Sequence, residues 1–197
     1  CGFTVNREIK EDYPKCPECG GEEFSEEKAI EVGNIFKLGT KYSAPFSFEA
    51  AGQDGQNLPV LMNCYGIGLT RLMGTAAEIS RDDAGLIWPE NIAPFFAHLI
   101  VLEAKDGETD EKIRSAAGKI YDDLQKAGIG VLYDDRRQKS AGEKFGDADL
   151  LGMPRRLVIS EKTIAKDSVE IKKRGGKEAK LIKIKEIDNF LKNENLG

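Results

Sequence analysis

The 197-residue chain has one histidine, one tryptophan and four cysteines, and no apolar run near the roughly 18 residues that a membrane span requires. No membrane segment is therefore expected. No charged, apolar leader is present either, which predicts a cytosolic protein whose cysteines stay reduced. There is no internal repeat and no low-complexity tract, so neither a solenoid nor a long disordered tail is implied. Neither sign of charge dominates: 29 Lys and Arg stand against 34 Asp and Glu, a net charge of −5, which argues against a surface that grips nucleic acid everywhere. Residues 1–93 carry 8 basic and 15 acidic side chains and residues 94–197 carry 21 and 19, so the halves differ, at −7 and +2. Any RNA is expected on the second half. The chain begins at Cys1 rather than Met and reads as a fragment or trimmed form.

What is present is concentrated first in VLMNCYGIGLTR (60–71), an apolar strand running into two spaced glycines and then a helix with one arginine. Gly66 and Gly68 lack a Cβ, so a flat base or ribose can lie on the backbone there. Arg71 sits where a guanidinium can fork onto a phosphate. A dinucleotide fingerprint is excluded, because Leu69-Thr70-Arg71 supplies no third glycine.

Residues 1–30 are polar and turn-rich around CPECGG (16–21), read as a knuckle between strands. Cys16 and Cys19 form a zinc half-site pattern, and Cys1 is a third candidate ligand if it is the second cysteine of an interrupted CxxC pair. Strands are expected around Ile35–Thr40 and Pro59–Tyr65, antiparallel neighbours across the GQDGQN turn (52–57). Leu69, Leu72, Met73, Ala76 and Ile79 recur at helical spacing, with Arg71 off that stripe. Beyond Pro89 and Pro94 strands and helices alternate: a strand at 98–102, a helix through Ile113, Ala116, Ala117, Ile120 and Leu124 stopped by Gly128, and a strand at 129–133. A helix over 143–151 follows, then a strand at 156–159, two amphipathic strands around Val169–Ile171 and Leu181–Ile184, and a terminal helix through Ile187, Phe190 and Leu191.

With its flanks, the glycine–arginine segment resembles motif 3 of the class II aminoacyl-tRNA synthetases, and its CYGIGxxR wording is similar to the prolyl branch. EVGNIFKLGTKYS (31–43) resembles the strand lining the amino-acid pocket of the bacterial-type enzymes, GLIWPENIAP (85–94) the linker leaving the catalytic domain, and Asp134-Asp135-Arg136 through Lys144-Phe145 to LGMP (151–154) the anticodon-binding domain. The fold class so implied is α/β (α+β): the motif 3 half of an antiparallel catalytic sheet over residues 1–93, joined to a mixed-sheet α/β anticodon-binding domain over 94–197.

The resemblance implies a ligase that activates proline with ATP and Mg²⁺ and passes it to proline tRNA, as a homodimer when full length, the fragment alone being inactive. It places Arg71 on the ATP phosphates, Gly66 and Gly68 beneath the nucleotide, and Phe36, Leu38 and Thr40 on one strand face, with Cys64 and Tyr65, around proline. An aromatic edge, an aliphatic wall and a small thiol suit a small cyclic amino acid. Cys64 sets shape and is not a nucleophile. Asp134, Asp135, Arg136, Lys144 and Phe145 are implied to read the anticodon, whose central bases are guanines, through carboxylate acceptors, cationic donors and stacking. Asn34 stands where the bacterial branch often has histidine, and the sole histidine, His98, is read as structural. Only residues 20–30 separate Cys19 from Glu31, so the large editing insertion of many bacterial members is absent there, and clearing of mischarged alanine falls to a separate factor. Zn²⁺ on Cys1, Cys16 and Cys19 is expected in the intact protein. Two alternatives stand beside the prolyl reading: a threonyl, glycyl or histidyl enzyme, and a non-catalytic tRNA-binding paralogue.

Overall fold

The computed structural model describes residues 1–195, and backbone proximity divides the chain into two compact units, the first ending at Ile67 and the second starting at Gly68. The first unit opens with a short 3-10 helix, Arg7–Asp12, whose Asn6 side chain accepts from the Glu8 amide at 2.9 Å. A cysteine turn follows, and then four strands: β1 (Gly33–Gly39), β2 (Glu49–Ala51), β3 (Asn57–Pro59) and β4 (Met62–Ile67). β1 pairs antiparallel with β4, and β2 with β3. The GQDGQ turn closes the β2–β3 hairpin through Gly52 N–H to Gln56 O at 2.7 Å, with Gly55 at φ +79°.

Three expectations for this unit change. Among the described residues no strand precedes β1, so the cysteine turn is a free-standing knuckle and not a link between strands. The run 59–65 divides into β3 and β4, because Pro59 has no N–H with which to continue a ladder. β2, unread from sequence, takes up β3.

The second unit begins with α1 (Leu69–Ile79) and a small hairpin of β5 (Arg81–Asp82) and β6 (Gly85–Leu86). Its body alternates β7 (Ala97–Val101), α2 (Gly107–Lys126), β8 (Val131–Asp134), α3 (Ala141–Leu151), β9 (Arg155–Ile159), α4 (Glu161–Ile164), β10 (Ser168–Lys173), β11 (Ala179–Lys183) and α5 (Ile187–Asn195). The sheet order is β11-β10-β9-β7-β8, with β7 parallel to β8 and β9 and β10 antiparallel to both its neighbours. The mixed α/β sheet read from sequence is the one observed; the single turn α4 was not foreseen.

Strand alternation sorts this sheet into two unlike faces. On one, Ala97, Leu99, Val101, Val131, Leu157, Ile159, Val169 and Ile171 form a continuous apolar core with Ile113, Ala117, Ile120 and Leu124 of α2 and Ile187 and Leu191 of α5. At roughly 1.5–3 kcal/mol for each large apolar side chain removed from water, this face supplies most of the unit's stability. The other face carries His98, Asp134 and Arg156 and is covered by α3. Helix ends are capped as the sequence allows: the Asp106 carboxylate accepts from the Thr109 amide at 2.8 Å, and Ser140 and Glu143 make a reciprocal capping box at the start of α3.

At its other end α3 closes on Gly152 at φ +72°, where a Cβ would overlap the Leu86 carbonyl, and Trp88 N–H donates to Gly152 O at 3.0 Å. Only glycine fits there. Arg174 fixes the same corner, donating to both carboxylate oxygens of Asp82 at 2.7 and 2.8 Å and to the Asp149 carbonyl at 2.9 Å. The Asp82 carboxyl is held well below the usual carboxylate range, first by that hydrogen-bonded guanidinium. Residues 81–88 are thus clasped to α3 inside the second unit, whereas the family resemblance drew the domain boundary at 93/94.

Candidate functional site

In the first unit the three cysteines meet. The Cys1 and Cys16 sulfurs lie 3.4 Å apart, and with Cys19 all three Sγ atoms fall within 4.8 Å of one another. The backbone folds the turn around them: Gly20 N–H donates to Cys16 O and Cys16 N–H to Gly21 O, both at 2.8 Å, with Gly20 at φ +73°. The Cys19 backbone amide, hydrogen-bonded to the Cys16 thiol, holds that thiol below its ordinary pKa, against the opposing effect of burial. Zn–S bonds of about 2.3 Å put tetrahedral ligand sulfurs roughly 3.8 Å apart, which matches this spacing for three thiolates of a four-ligand site.

On the β1–β4 ribbon, register decides which side chains share a face. Phe36 lies directly across from Cys64, and Ile35 across from Tyr65. Phe36 and Cys64 therefore share one face, and Tyr65 belongs to the other. Leu38 is the extra residue of a bulge between Lys37 and Gly39, and Thr40 falls beyond β1 in a turn, where its carbonyl accepts from the Ala44 amide at 2.9 Å. The expected alignment of Phe36, Leu38 and Thr40 on one strand face is thus corrected by the bulge. Phe36, Tyr65 and Ile67 are 54%, 70% and 70% exposed, so the ribbon presents apolar side chains on both faces. Asn34 faces Gly66, whose added Cβ would stand 2.9 Å from the Asn34 Oδ1. The close approach that a glycine permits is taken up by this amide.

Gly68 is the N-cap of α1, at φ −83° and ψ 86°, and makes no side-chain cap bond. Arg71 lies in the first turn, exposed, with its carbonyl accepting from the Thr75 hydroxyl at 2.8 Å.

The second unit alters the reading of the acidic and basic cluster most. Lys144 is 1% exposed, its ammonium donating to the Val101 carbonyl at 2.8 Å and lying 3.8 Å from Asp134 Oδ1. Burial pushes its pKa down, while Asp134 and Glu103 oppose the shift. Asp134 is itself buried and accepts from Arg136 Nε at 2.9 Å, Arg136 Nη2 at 2.8 Å and the Arg136 amide at 3.2 Å. Its pKa is lowered, first by the hydrogen bond from Arg136. Neither Lys144 nor Asp134 is a surface group that can reach a base, and both expectations are corrected on that ground. Asp135 and Arg136 are exposed, and Phe145 lies half-buried under the Arg156 guanidinium at 4.6 Å.

Sequence reasoning missed Asp147. It sits three residues beyond Lys144 on α3, and its Oδ2 accepts from Arg136 Nη1 at 2.8 Å. The i, i+3 spacing was readable, but the Arg136 partner lies across a loop. His98 is 3% exposed, its Nδ1 has no hydrogen-bond partner among the described residues, and burial pushes its pKa down.

Residues 97–194 match the anticodon binding domain family. A proline–tRNA ligase of Persephonella marina is 46% identical over 176 residues, covering 89% of this chain and 30% of that protein. One from a Sulfurihydrogenibium species is 43% identical over 190 residues, 96% of this chain and 32% of that protein. The chain thus spans about a third of the length of these curated relatives. Among solved structures, Giardia lamblia prolyl-tRNA synthetase in complex with prolyl-adenylate matches with a TM-score of 0.74 at 28% identity, covering 83% of this chain and 35% of that one. The Cryptosporidium parvum enzyme, complexed with L-proline and AMP, matches with a TM-score of 0.73 at 25% identity over 86% of this chain and 34% of that one. Among the described residues no helix is long and apolar enough to cross a membrane.

Proposed function

Because the chain belongs to the prolyl-tRNA synthetase family, we propose that it serves, within a longer protein, the ATP-dependent joining of proline to its tRNA. The observation that carries this reading is the 46% identity to a proline–tRNA ligase across 89% of the chain, in a sequence that keeps Gly66, Gly68 and Arg71. Residues 1–93 are read as catalytic-domain sequence and 94–197 as the anticodon-binding domain.

Adenylate formation is an in-line displacement at phosphorus, in which orientation and charge neutralisation do more than a general base. Arg71 supplies fixed positive charge for the ATP phosphates. Gly68 leaves room for the nucleotide against the backbone, and Gly66 does so once the Asn34 side chain turns away from it. Phe36 and Cys64, adjacent across β1 and β4, form a compact apolar wall for the proline ring. Leu38 and Thr40 close its end, and Tyr65 serves from the opposite face of the ribbon. Mg²⁺ would neutralise phosphate charge, and Zn²⁺ on Cys1, Cys16, Cys19 and a fourth ligand would hold the knuckle. The protein acts in the cytoplasm as a homodimer.

ATP–pyrophosphate exchange by the full-length protein, run separately with proline, threonine, glycine and histidine, tests the reading. Exchange with proline alone is expected, and Arg71→Ala should abolish it while tRNA binding stays. Exchange with none, despite tRNA binding, would instead identify a non-catalytic paralogue.

A further inference from the structure

Charge in the second unit is unevenly spread. Residues 172–185, from the end of β10 through β11 to the turn before α5, hold seven Lys and Arg and one Glu, a net +6 in a chain of net −5. Arg174 is engaged by Asp82, and Lys183 by the Lys166 carbonyl at 2.7 Å. Lys173, Lys177 and Lys180 are exposed, and among the described residues their ammonium groups have no hydrogen-bond or ion-pair partner. All three line one groove of about 400 Å³ between the β10–β11 hairpin and α5. Lys180 stands opposite Ile171 in the ladder, so their side chains share a face, and Lys173, two residues on from Ile171, shares it too. That face carries α5, whose Phe190 packs against the core and forms the aromatic wall of the groove. Glu178 is the one acid among the lining residues.

We propose that this groove binds single-stranded RNA without regard to base sequence, its lysines on the phosphates and one base stacked on Phe190. The surface is separate from the anticodon cluster. Asp134 lies on the sheet face covered by α3, with Asp147 on α3 itself, whereas the groove opens on the α5 face. The inference therefore goes beyond the joining of proline to its tRNA.

Two features of the groove must be matched at once: clustered, unpaired positive charge and an aromatic wall. A single RNA strand supplies a negative charge and a flat ring with every nucleotide, and its bases are free to stack, unlike those inside a duplex. An acidic peptide supplies the charge but no ring. Lysine ammoniums act as point charges that take phosphate oxygens from many directions, so they grip a backbone without selecting a base. Ile171 and Phe190 are tied to the core, which holds the stacking wall in place, and the lysines on the hairpin are left to follow the strand.

Fluorescence anisotropy of the 197-residue chain with labelled octauridylate tests the proposal. This probe has neither guanine nor stem, so recognition of the anticodon cannot account for its binding. The wild-type chain should bind it, with log affinity falling against log salt at a slope of about −2 for three phosphate contacts. Lys173→Gln, Lys177→Gln and Lys180→Gln combined should weaken binding tenfold or more and bring the slope near zero. Phe190→Leu keeps the apolar packing but removes the flat ring, and should cost about fivefold or more with the slope unchanged. Thermal melts establish that both variants fold. ATP–pyrophosphate exchange by the full-length protein should be untouched by the lysine substitutions, because adenylate formation uses no RNA, so loss of this surface and loss of the ligase reading are told apart. Failure of the wild-type chain to bind octauridylate would overturn the proposal, as would an unchanged affinity and slope in the lysine variant. Displacement of the RNA by octaglutamate, together with a silent Phe190→Leu, would assign the groove to acidic protein segments and overturn it as well.

Discussion

The first 67 residues and the sheet body that starts at Ala97 handle apolar side chains in opposite ways. In the sheet body, Leu99, Leu157, Ile120 and Leu124 are at most 1% exposed. In the first unit, Cys16 and Ser43 alone are buried among the described residues, while Ile35, Phe36, Phe46, Tyr65 and Ile67 lie open. A two-stranded ribbon has no second layer to pack on, so its order comes from backbone pairing and short turns. The sheet body owes its order to a closed core. What the contrast teaches is that side chains kept for contact with something else cannot also stabilise the unit that carries them.

The largest expected consequence is in hydrogen exchange of the 197-residue chain. Amides of Leu99, Leu157 and Ile120 should exchange only by global unfolding, orders of magnitude more slowly than those of Ile35 and Cys64 in the ribbon. Equal protection in both regions would break the comparison. It would mean that the ribbon is stabilised by more than its own pairing.

Next in size is Lys144→Met. The substitution keeps the length of the side chain but removes the donor to the Val101 carbonyl and the cation beside Asp134. Removing one partner of a buried pair costs about 3–5 kcal/mol, and because Arg136 still holds Asp134, a loss of about 2–4 kcal/mol is expected by urea denaturation. A loss below roughly 0.5 kcal/mol would place Lys144 at the surface, as its charge suggests.

That residue also marks where the sequence stopped being legible. Ile113, Ala117, Ile120 and Leu124 announced α2 and its buried face, because helical spacing and burial coincide there. α3 was legible as a helix over 143–151, but its buried face was not: it packs on the polar side of the sheet, so its inner positions are Lys144 and Ala148. The paired acid Asp134 was misread for the same reason. In the ribbon, residue types pointed to an apolar pocket, but the bulge at Leu38 and the opposite facing of Cys64 and Tyr65 are matters of register, which composition does not encode. The convergence of Cys16 and Cys19 was legible because a Cys-Pro-x-Cys turn leaves two sulfurs few other places to go. Asp147 was not, since its Arg136 partner comes from a loop of irregular path.

A smaller effect, in the sheet body alone, is its response to pH. Burial lowers the His98 pKa in the folded state, so the folded protein prefers the neutral ring, while the unfolded chain titrates near the ordinary value of about 6.5. Below that value the unfolded state binds the extra proton, and stability must fall as pH drops from about 7 until the folded pKa is reached, by at most about 1.4 kcal/mol per pH unit. Asp134 and Asp147 oppose the shift, and Arg136 and Arg156 reinforce it. As His98 is the sole histidine, His98→Gln should flatten the urea midpoint between pH 5.5 and 7. A slope that survives the substitution would assign the titration to another group.

The smallest effect sharpens the comparison most. Phe36 is 54% exposed and faces Cys64 across the ribbon, so Phe36→Ser should change the stability of the 197-residue chain by no more than about 0.5 kcal/mol. The same substitution in the full-length protein should raise the proline concentration needed for half-maximal ATP–pyrophosphate exchange by tenfold or more, because an apolar wall of the amino-acid pocket would be lost. A stability loss of 2 kcal/mol in the chain would show that the ribbon face is already packed. A silent substitution in both experiments would remove Phe36 from the proline pocket, and the open ribbon would then need another explanation for its exposed apolar faces.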